Sequence, residues 1–577
     1  MMSFPKEPIT RAFRPDRQGA KRHYGSHPYF TKRAWNVVQE YIKHFSAPDD
    51  IVLDPFGGSG VTAVESLVLR RKAIYVDISR WACFLARQAA IAPVNLGNLT
   101  DAFHRLRARC RERVEDLWRL SEKELISKPV REWYPKGVGL PENSDVRYVE
   151  DLFTPRMLHG LATLHAGIAQ EQDHATRDLL LLAFSSTLAR INRTFLSTTG
   201  RQETRGGSAV FSIYRYKVAR EPVELPLWDQ FAQRFEKLLQ AKHETNLLIG
   251  GFYRDGDTAT FRHGSATRLG EFLKPESVDY IYTDPPYGAH ISYLDLSTMW
   301  SAWLELEVSD RDRQEEVIEG GTLRKSSGQY QSLLTESIRE MARALKKGAW
   351  VSLVYAHTDT SYWDAIVQAC QEAGLGYCNT VVQPAGVVWS MHKKKNPLRV
   401  LSGELVLNFR KQEKIKPMRR SRMPSPEAGP FVTRFCAEQI VNRFGATTEE
   451  LHHALIPALL EGRLLRRFSK EHGDITPFLE EAFVFDAGGK QWHLPENGCF
   501  FGMVDHRALV RYVVKRLFRG PGGQQDSVSE TDVLARLRTL GASDTDLSPG
   551  IVRCVQTTLS GEDFLGTSQR EPQGTLF

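Results

Sequence analysis

Ile51-Val52-Leu53-Asp54-Pro55-Phe56-Gly57-Gly58-Ser59-Gly60-Val61-Thr62 is the stretch that decides the fold. Three apolar residues form a short strand, a glycine-rich turn follows, and Ala63-Val64-Glu65-Ser66-Leu67-Val68-Leu69 reads as a helix. Glycines let a backbone approach a ligand closely. A turn of this kind at the carboxyl end of a parallel strand is where open α/β sheets hold nucleotide-like cofactors. No Gly-Lys-Ser/Thr follows, so it is not a phosphate loop, and the glycines are too close together for a dinucleotide fingerprint. The next apolar segment, Ala73-Ile74-Tyr75-Val76, ends in Asp77, a carboxylate able to accept both hydroxyls of a ribose.

A second apolar run, Val278-Asp279-Tyr280-Ile281-Tyr282, leads into Thr283-Asp284-Pro285-Pro286-Tyr287-Gly288. Asp284 offers acceptors for the N–H groups of an aromatic amine. Pro285 and Pro286 stiffen the chain and lack N–H donors, and Tyr287 presents a face on which a base can stack. Such a pocket holds a planar amine by edge and face, as methylation of an aromatic NH2 group requires. His290 follows closely, but methyl transfer from a sulfonium needs no strong base, and it is given no such role. Tyr293, Trp300 and Trp303 could line the pocket, although helical spacing favours a core position for the two tryptophans.

Together the two motifs resemble those of the S-adenosylmethionine-dependent DNA amino-methyltransferases, which act on adenine N6 or cytosine N4. The resemblance implies an α/β fold: a Rossmann-like methyltransferase domain with a seven-stranded, mostly parallel sheet. It also implies a flipped target base. Cofactor binding would fall to the turn with Asp54, Phe56, Gly57, Gly58 and Gly60, to Asp77 at the ribose, and to Ser265. Ser265 stands, in His263-Gly264-Ser265-Ala266-Thr267, where the family usually has an acidic residue. Asp284, Pro285, Pro286 and Tyr287 would carry the target base. The segment His23-Tyr24-Gly25-Ser26-His27-Pro28-Tyr29-Phe30-Thr31-Lys32 is similar to the family element that closes the cofactor pocket. Aspartate at position 284 favours adenine N6 by family pattern.

The two motifs are separated by a long insert, which divides the chain. Residues 1–95 form the cofactor half of the methyltransferase domain, 96–245 a helical insert and candidate target-recognition region, 246–412 the catalytic half, and 430–577 an additional C-terminal α-rich domain. Between Arg190 and Arg220 lie seven basic residues, opposed only by Glu203, with Phe211, Tyr214 and Tyr216 interleaved. Arg193, Arg201, Arg205, Arg215 and Lys217 are the candidate DNA-binding residues, since arginine and lysine contact phosphates and base edges. Smaller basic runs follow at His392-Lys393-Lys394-Lys395 and from Arg410 to Arg422. Thr154-Pro155 and Thr447 through Glu450 look like capped helix starts. The tail beyond Gly520 is rich in Gly, Ser and Gln and reads as partly mobile.

The bounds agree with a globular enzyme. The 577 residues are 41% apolar and 25% charged, with a net charge of +7 that permits nucleic-acid binding without requiring it. No apolar run reaches the ~18 residues of a membrane span. The amino terminus lacks the apolar core of a secretion signal. Seven cysteines without a Cys-x-x-Cys pair give no metal site or disulfide framework, which suits a reducing cytoplasm. Three functions stay open. The first is a DNA methyltransferase, acting on adenine N6 in a restriction-modification or phage-defence setting beside a nuclease or defence-complex partner. The second is an RNA methyltransferase of the guanine-N2 type. The third is a DNA-binding subunit of a defence complex with weak or lost catalysis.

Overall fold

The computed structural model describes residues 4–16, 22–196, 207–219, 221–289, 291–384, 401, 403–412, 427–518 and 527–560. They fall into two compact units. The first holds residues 1–357, 365–395 and 402–417, and the second residues 358–364, 396–401 and 418–577.

In the first unit seven strands make one sheet: β1 (Ile51–Asp54), β2 (Lys72–Asp77), β3 (Ala259–His263), β4 (Val278–Thr283), β5 (Leu345–Tyr355), β6 (Leu375–Gln383) and β7 (Glu404–Lys411). Their order is β3-β2-β1-β4-β5-β7-β6. The pairs from β3 to β5 are parallel, and β7 runs antiparallel to both β5 and β6. The two apolar runs singled out in the sequence, β1 and β4, are neighbours at its centre, with Leu53 opposite Ile281. Every residue of β4 is buried, as expected of a parallel strand covered on both faces. Asp279 is buried within it. Its carboxylate accepts from the Ile51 backbone N–H at 3.0 Å and from Lys346 Nζ at 2.6 Å, pinning β4 to both neighbours.

Helices α1 (Trp35–Phe45), α2 (Val61–Val68) and α3 (Arg80–Ala90) belong to this half. Phe45 packs on Trp350 with ring centres 4.9 Å apart. Glu65 on α2 is buried, but the Tyr24 hydroxyl donates to it at 2.5 Å and the Gln39 amide donates to its other oxygen, so the charge is hydrogen-bonded.

The insert is helical: α4 (Leu96–Asp116), α5 (Pro155–Ala169), α6 (His174–Leu188) and α7 (Leu227–Ile249). On α4, Leu99, Ala102, Leu106, Cys110 and Val114 are buried at helical spacing and the arginines face outward. Thr154 caps α5 through Met157 N, with Pro155 in the first turn, as the sequence suggested. Lys242 on α7 is buried and donates to the Ala89 and Ile91 carbonyls at 2.9 and 3.1 Å, capping the end of α3 with a cation. These helices share one apolar core with Phe30, Trp81 and residues 291–303. Trp300 and Trp303 are fully buried there. Trp300 stacks on Trp81 at 5.1 Å and its indole N–H donates to the Ser185 carbonyl at 3.0 Å.

The second unit contains helices Ala428–Arg443, Thr448–Glu461, Leu465–Glu471, Ile475–Ala482, His506–Phe518, Glu530–Thr539 and Pro549–Leu559. A small antiparallel hairpin pairs Val484–Asp486 with Gln491–His493. Thr447 and Glu450 form a capping box. Part of the tail beyond Gly520 is helical, while residues 519–526 and 561–577 lie outside the described residues. Ser529 and Asp532 form a capping box for helix Glu530–Thr539, and Val533, Leu537 and Val555 are buried. The polar composition of the segment obscured this short apolar stripe.

Trp300→Ala removes a fully buried indole from the core that joins the insert to the sheet. It should destabilise the first unit by about 3–5 kcal/mol, seen as a lower denaturant midpoint for its unfolding transition.

Candidate active site

The carboxyl ends of β1 and β4 lie side by side, and the two motifs meet there. Thr283 Oγ1 donates to Asp54 Oδ1 at 2.8 Å, and the Phe56 backbone N–H reaches the same oxygen at 3.2 Å. Above them opens a cleft of about 810 Å³, counting its solvent mouth. Asp54, Phe56, Gly57, Gly58, Asp77, Ser265, Asp284 and Pro286 all line it.

The glycine turn is tightly built. Gly57 N donates to the Val76 carbonyl at 3.0 Å, Gly58 N to Asp77 Oδ2 at 2.8 Å, and the Tyr75 hydroxyl to the Gly58 carbonyl at 2.8 Å. Gly58 and Gly60 have φ of +49° and +81°, where a side chain is strained. A Cβ on Gly57 would stand 2.2 Å from the buried Tyr75 ring, and one on Gly60 2.7 Å from Ala86 Cβ. Gly60 therefore serves close packing of α2 on α3 and does not itself line the cleft. The other Asp77 oxygen accepts from Ser79 N at 2.8 Å. Ser265 Oγ accepts from Thr267 N at 3.2 Å at the start of a short 3-10 turn.

Asp54 and Asp77 are both buried deeply enough that desolvation pushes their carboxyls up, to about 7 and about 6. Among the described residues no basic side chain pairs with either. A cleft that buries two uncompensated carboxylates suits a cationic ligand carrying hydroxyl donors. S-adenosylmethionine, with its sulfonium, amino group and ribose diol, fits that donor and acceptor set.

The catalytic loop is held from several directions. The Pro286 carbonyl accepts from the Tyr330 hydroxyl at 2.6 Å, and the Tyr330 and Tyr355 hydroxyls lie 2.9 Å apart. Tyr287 donates to Asp284 Oδ1 at 2.6 Å. Its ring meets Tyr355 edge-on at 5.0 Å. Arg33 contacts Asp284 Oδ2 through Nε at 2.5 Å, donates to the Tyr287 hydroxyl at 2.8 Å, and pairs with Glu404. Neither Pro285 nor Tyr287 lines the cleft. From the amino-terminal segment, Tyr29, Thr31 and Arg33 line it. The Tyr29 ring is roughly parallel to both Trp81 and Tyr293, at 5.4 and 6.4 Å.

Sequence reasoning missed Arg33, Glu404 and Tyr330, as well as Glu316, which lines the cleft and accepts from the Leu294 backbone N–H at 2.9 Å. Arg33 directly follows the quoted segment ending at Lys32. Glu404 carried a usable signal: it begins a strand that runs antiparallel, so its first residue lies at the carboxyl edge of the parallel strands, with Leu405 opposite Tyr355.

The basic segment of the insert is placed differently from the sequence reading. Tyr216 is buried and its hydroxyl donates to the Leu296 carbonyl at 2.5 Å. Phe211 packs against Phe30 and Trp300 at 5.3 and 5.2 Å. Both are core residues, because an aromatic ring beside charges in sequence still seeks the apolar side of its segment. Arg193 donates to the Asp151 carbonyl at 2.8 Å, and Arg215 pairs with Asp145. Lys217 is exposed. Arg201, Arg205, Arg220, His290 and the run from His392 to Lys395 lie outside the described residues.

Parts of the chain are similar to known proteins. Residues 6–88 match the family described as DNA methylase, of the N6/N4 class. The Type II methyltransferase M.MjaII of Methanocaldococcus jannaschii is 34% identical over 71 residues, 12% of this chain and 13% of that one. The Type II methyltransferase M.MvaI of Kocuria varians is 22% identical over 270 residues, 45% of this chain and 52% of that one. The chain thus spans about half, or much less, of these relatives' lengths. The solved rRNA methyltransferase AviRa of Streptomyces viridochromogenes aligns at 10% identity over 67% of this chain and 86% of its own, with a TM-score of 0.22. The matched residues 6–88 include the glycine turn and Asp77, and they are similar to the DNA methylases of the N6/N4 class.

Proposed function

We propose that the chain transfers a methyl group from S-adenosylmethionine to an exocyclic amine of a base flipped out of DNA. Adenine N6 is favoured over cytosine N4, and the setting is restriction-modification or phage defence. One observation carries the reading: the glycine turn and the Asp-Pro-Pro-Tyr loop are bonded through Asp54 and Thr283 and line one cleft. The DNA methylase family match and the Type II methyltransferase relatives support DNA as the substrate. The acidic residue at 284 supports adenine by resemblance alone.

Bound S-adenosylmethionine supplies an electrophilic methyl group on a sulfonium. The chain's own work is orientation and desolvation. Asp77 and Asp54 would accept hydroxyl and cationic groups of the donor, with Ser265 beside them. Asp284 would accept an N–H of the amine, turning the nitrogen lone pair toward the methyl carbon. The donor would supply the methyl group at the expense of its S–C bond, and the surplus proton on the amine would pass to water. Pro285 and Pro286 hold that acceptor rigidly, and Tyr287 would sit against the base. Residues 96–245 are assigned to target recognition. Arg193 and Arg215 have internal partners and Lys217 is exposed, so of these three described residues Lys217 is the best candidate for DNA contact. A nuclease or defence-complex partner belongs to the same proposal.

Incubation with labelled S-adenosylmethionine and either DNA or RNA, followed by nucleoside analysis, tests the reading. N6-methyladenine in DNA is expected, and label in RNA alone would overturn it. Asp284→Ala should cut transfer to below about a thousandth of wild type with cofactor binding retained. Gly57→Ala, forced against Tyr75, should weaken S-adenosylmethionine binding by about tenfold or more in calorimetry. As an ionised acceptor of the ribose diol, Asp77 should make that affinity rise as pH increases through about 6. Asp77→Asn should bind more weakly and lose that component.

A further inference from the structure

Asp284 lies among carboxylates. Asp54 on β1 and Glu404 on β7 both act on it electrostatically, and Tyr282, Tyr287 and Tyr293 complete the titratable groups around it. Among the described residues the cation against it is Arg33. That guanidinium contacts Asp284 Oδ2, reaches the Tyr287 hydroxyl at 2.8 Å and pairs with Glu404. The three ionic side chains are only 17%, 17% and 22% exposed, so the pairs are poorly screened by water. Among the described residues, Asp54 and Asp77, at the cofactor end of the cleft, have no such partner. The countercharge is specific to the residue that would face the target amine.

The charge on Asp284 decides the direction of its hydrogen bond. Ionised, it is acceptor-only, with about four lone-pair sites. Tyr287 and Arg33 leave room for an N–H of the amine. Protonated, its O–H could donate into the amine's lone pair, which is the pair the methyl carbon must receive. Burial and Glu404 push the Asp284 carboxyl up, and Arg33 opposes them. Resting on the amino-methyltransferase reading, we propose that Arg33 is a positioning residue for the transfer. It is the counter-ion that keeps Asp284 an acceptor, with Glu404 holding the guanidinium in place. Arg33 reaches this site because it ends the segment that runs from Tyr29 along the cleft into α1.

The test compares the acid limb of the pH profile of kcat/KM on DNA for wild type, Arg33→Ala, Arg33→Lys and Glu404→Gln. Thermal melts check that each variant is folded. Arg33→Ala removes the countercharge and should move the limb to higher pH by about one unit or more. Glu404→Gln removes a like charge and should move it to lower pH. Arg33→Lys should bring it back toward wild type. A merely structural Arg33 would lower activity evenly across pH, and limbs that coincide in all four proteins would overturn the proposal while leaving the methyltransferase reading intact. Absence of any transfer to DNA by wild type would overturn that reading instead. The same titration, followed on 13C-labelled aspartate with the Asp284 resonance assigned through Asp284→Asn, then decides the role of Arg33 without turnover. Opposite shifts for Arg33→Ala and Glu404→Gln support it, and unmoved resonances overturn it.

Discussion

The hydrogen bond from Thr283 Oγ1 to Asp54 Oδ1 joins residues 229 apart in sequence and sets the rest of the site. It can form only because β1 and β4 are neighbours in a parallel sheet, where the carboxyl ends of adjacent strands coincide. Both groups are buried, so the bond is made away from competing water. Asp279, lower in β4, fixes the same pairing through the Ile51 N–H and also holds Lys346. The glycine turn and the proline loop are thus carried on two adjacent strand ends. The helical insert can be long without disturbing them, because its helices return to a core shared with Phe30, Trp81 and Trp300.

The sheet was largely legible from residues. β1, β4, β5 and β7 are apolar runs with few polar interruptions, and their buried character leaves little choice of structure. The two motifs were legible because each combines a strand end with residues that constrain the backbone, namely glycines at positive φ and paired prolines. The order of the strands was not legible, since periodicity says nothing about which strand pairs with which.

What the sequence hid has a common cause. Arg33 and Tyr330 bond the proline loop from 251 and 44 positions away, and Glu404 bonds Arg33 from 371 positions away. A charged or aromatic residue alone in its own segment has no local pattern that announces such a partner. Phe211 and Tyr216, interleaved with basic residues in the sequence, gave no local sign of where they would pack. Their rings satisfy the core, and the tyrosine hydroxyl finds a backbone carbonyl.

Charge divides the cleft into two ends of different chemistry. At the glycine turn, Asp54 and Asp77 are desolvated and have no basic partner among the described residues, so ionising them is unfavourable until a positive ligand arrives. At the proline loop, Asp284 already has its countercharge in Arg33. A cationic donor therefore gains most at the first end, while a neutral aromatic amine, which could not neutralise a bare carboxylate, meets at the second an acceptor that is already compensated. The asymmetry would place donor and acceptor on opposite sides of the Asp54–Thr283 bond without a base that must switch protonation state during transfer. Placing the two substrates then rests on where the protein has left its carboxylates uncompensated.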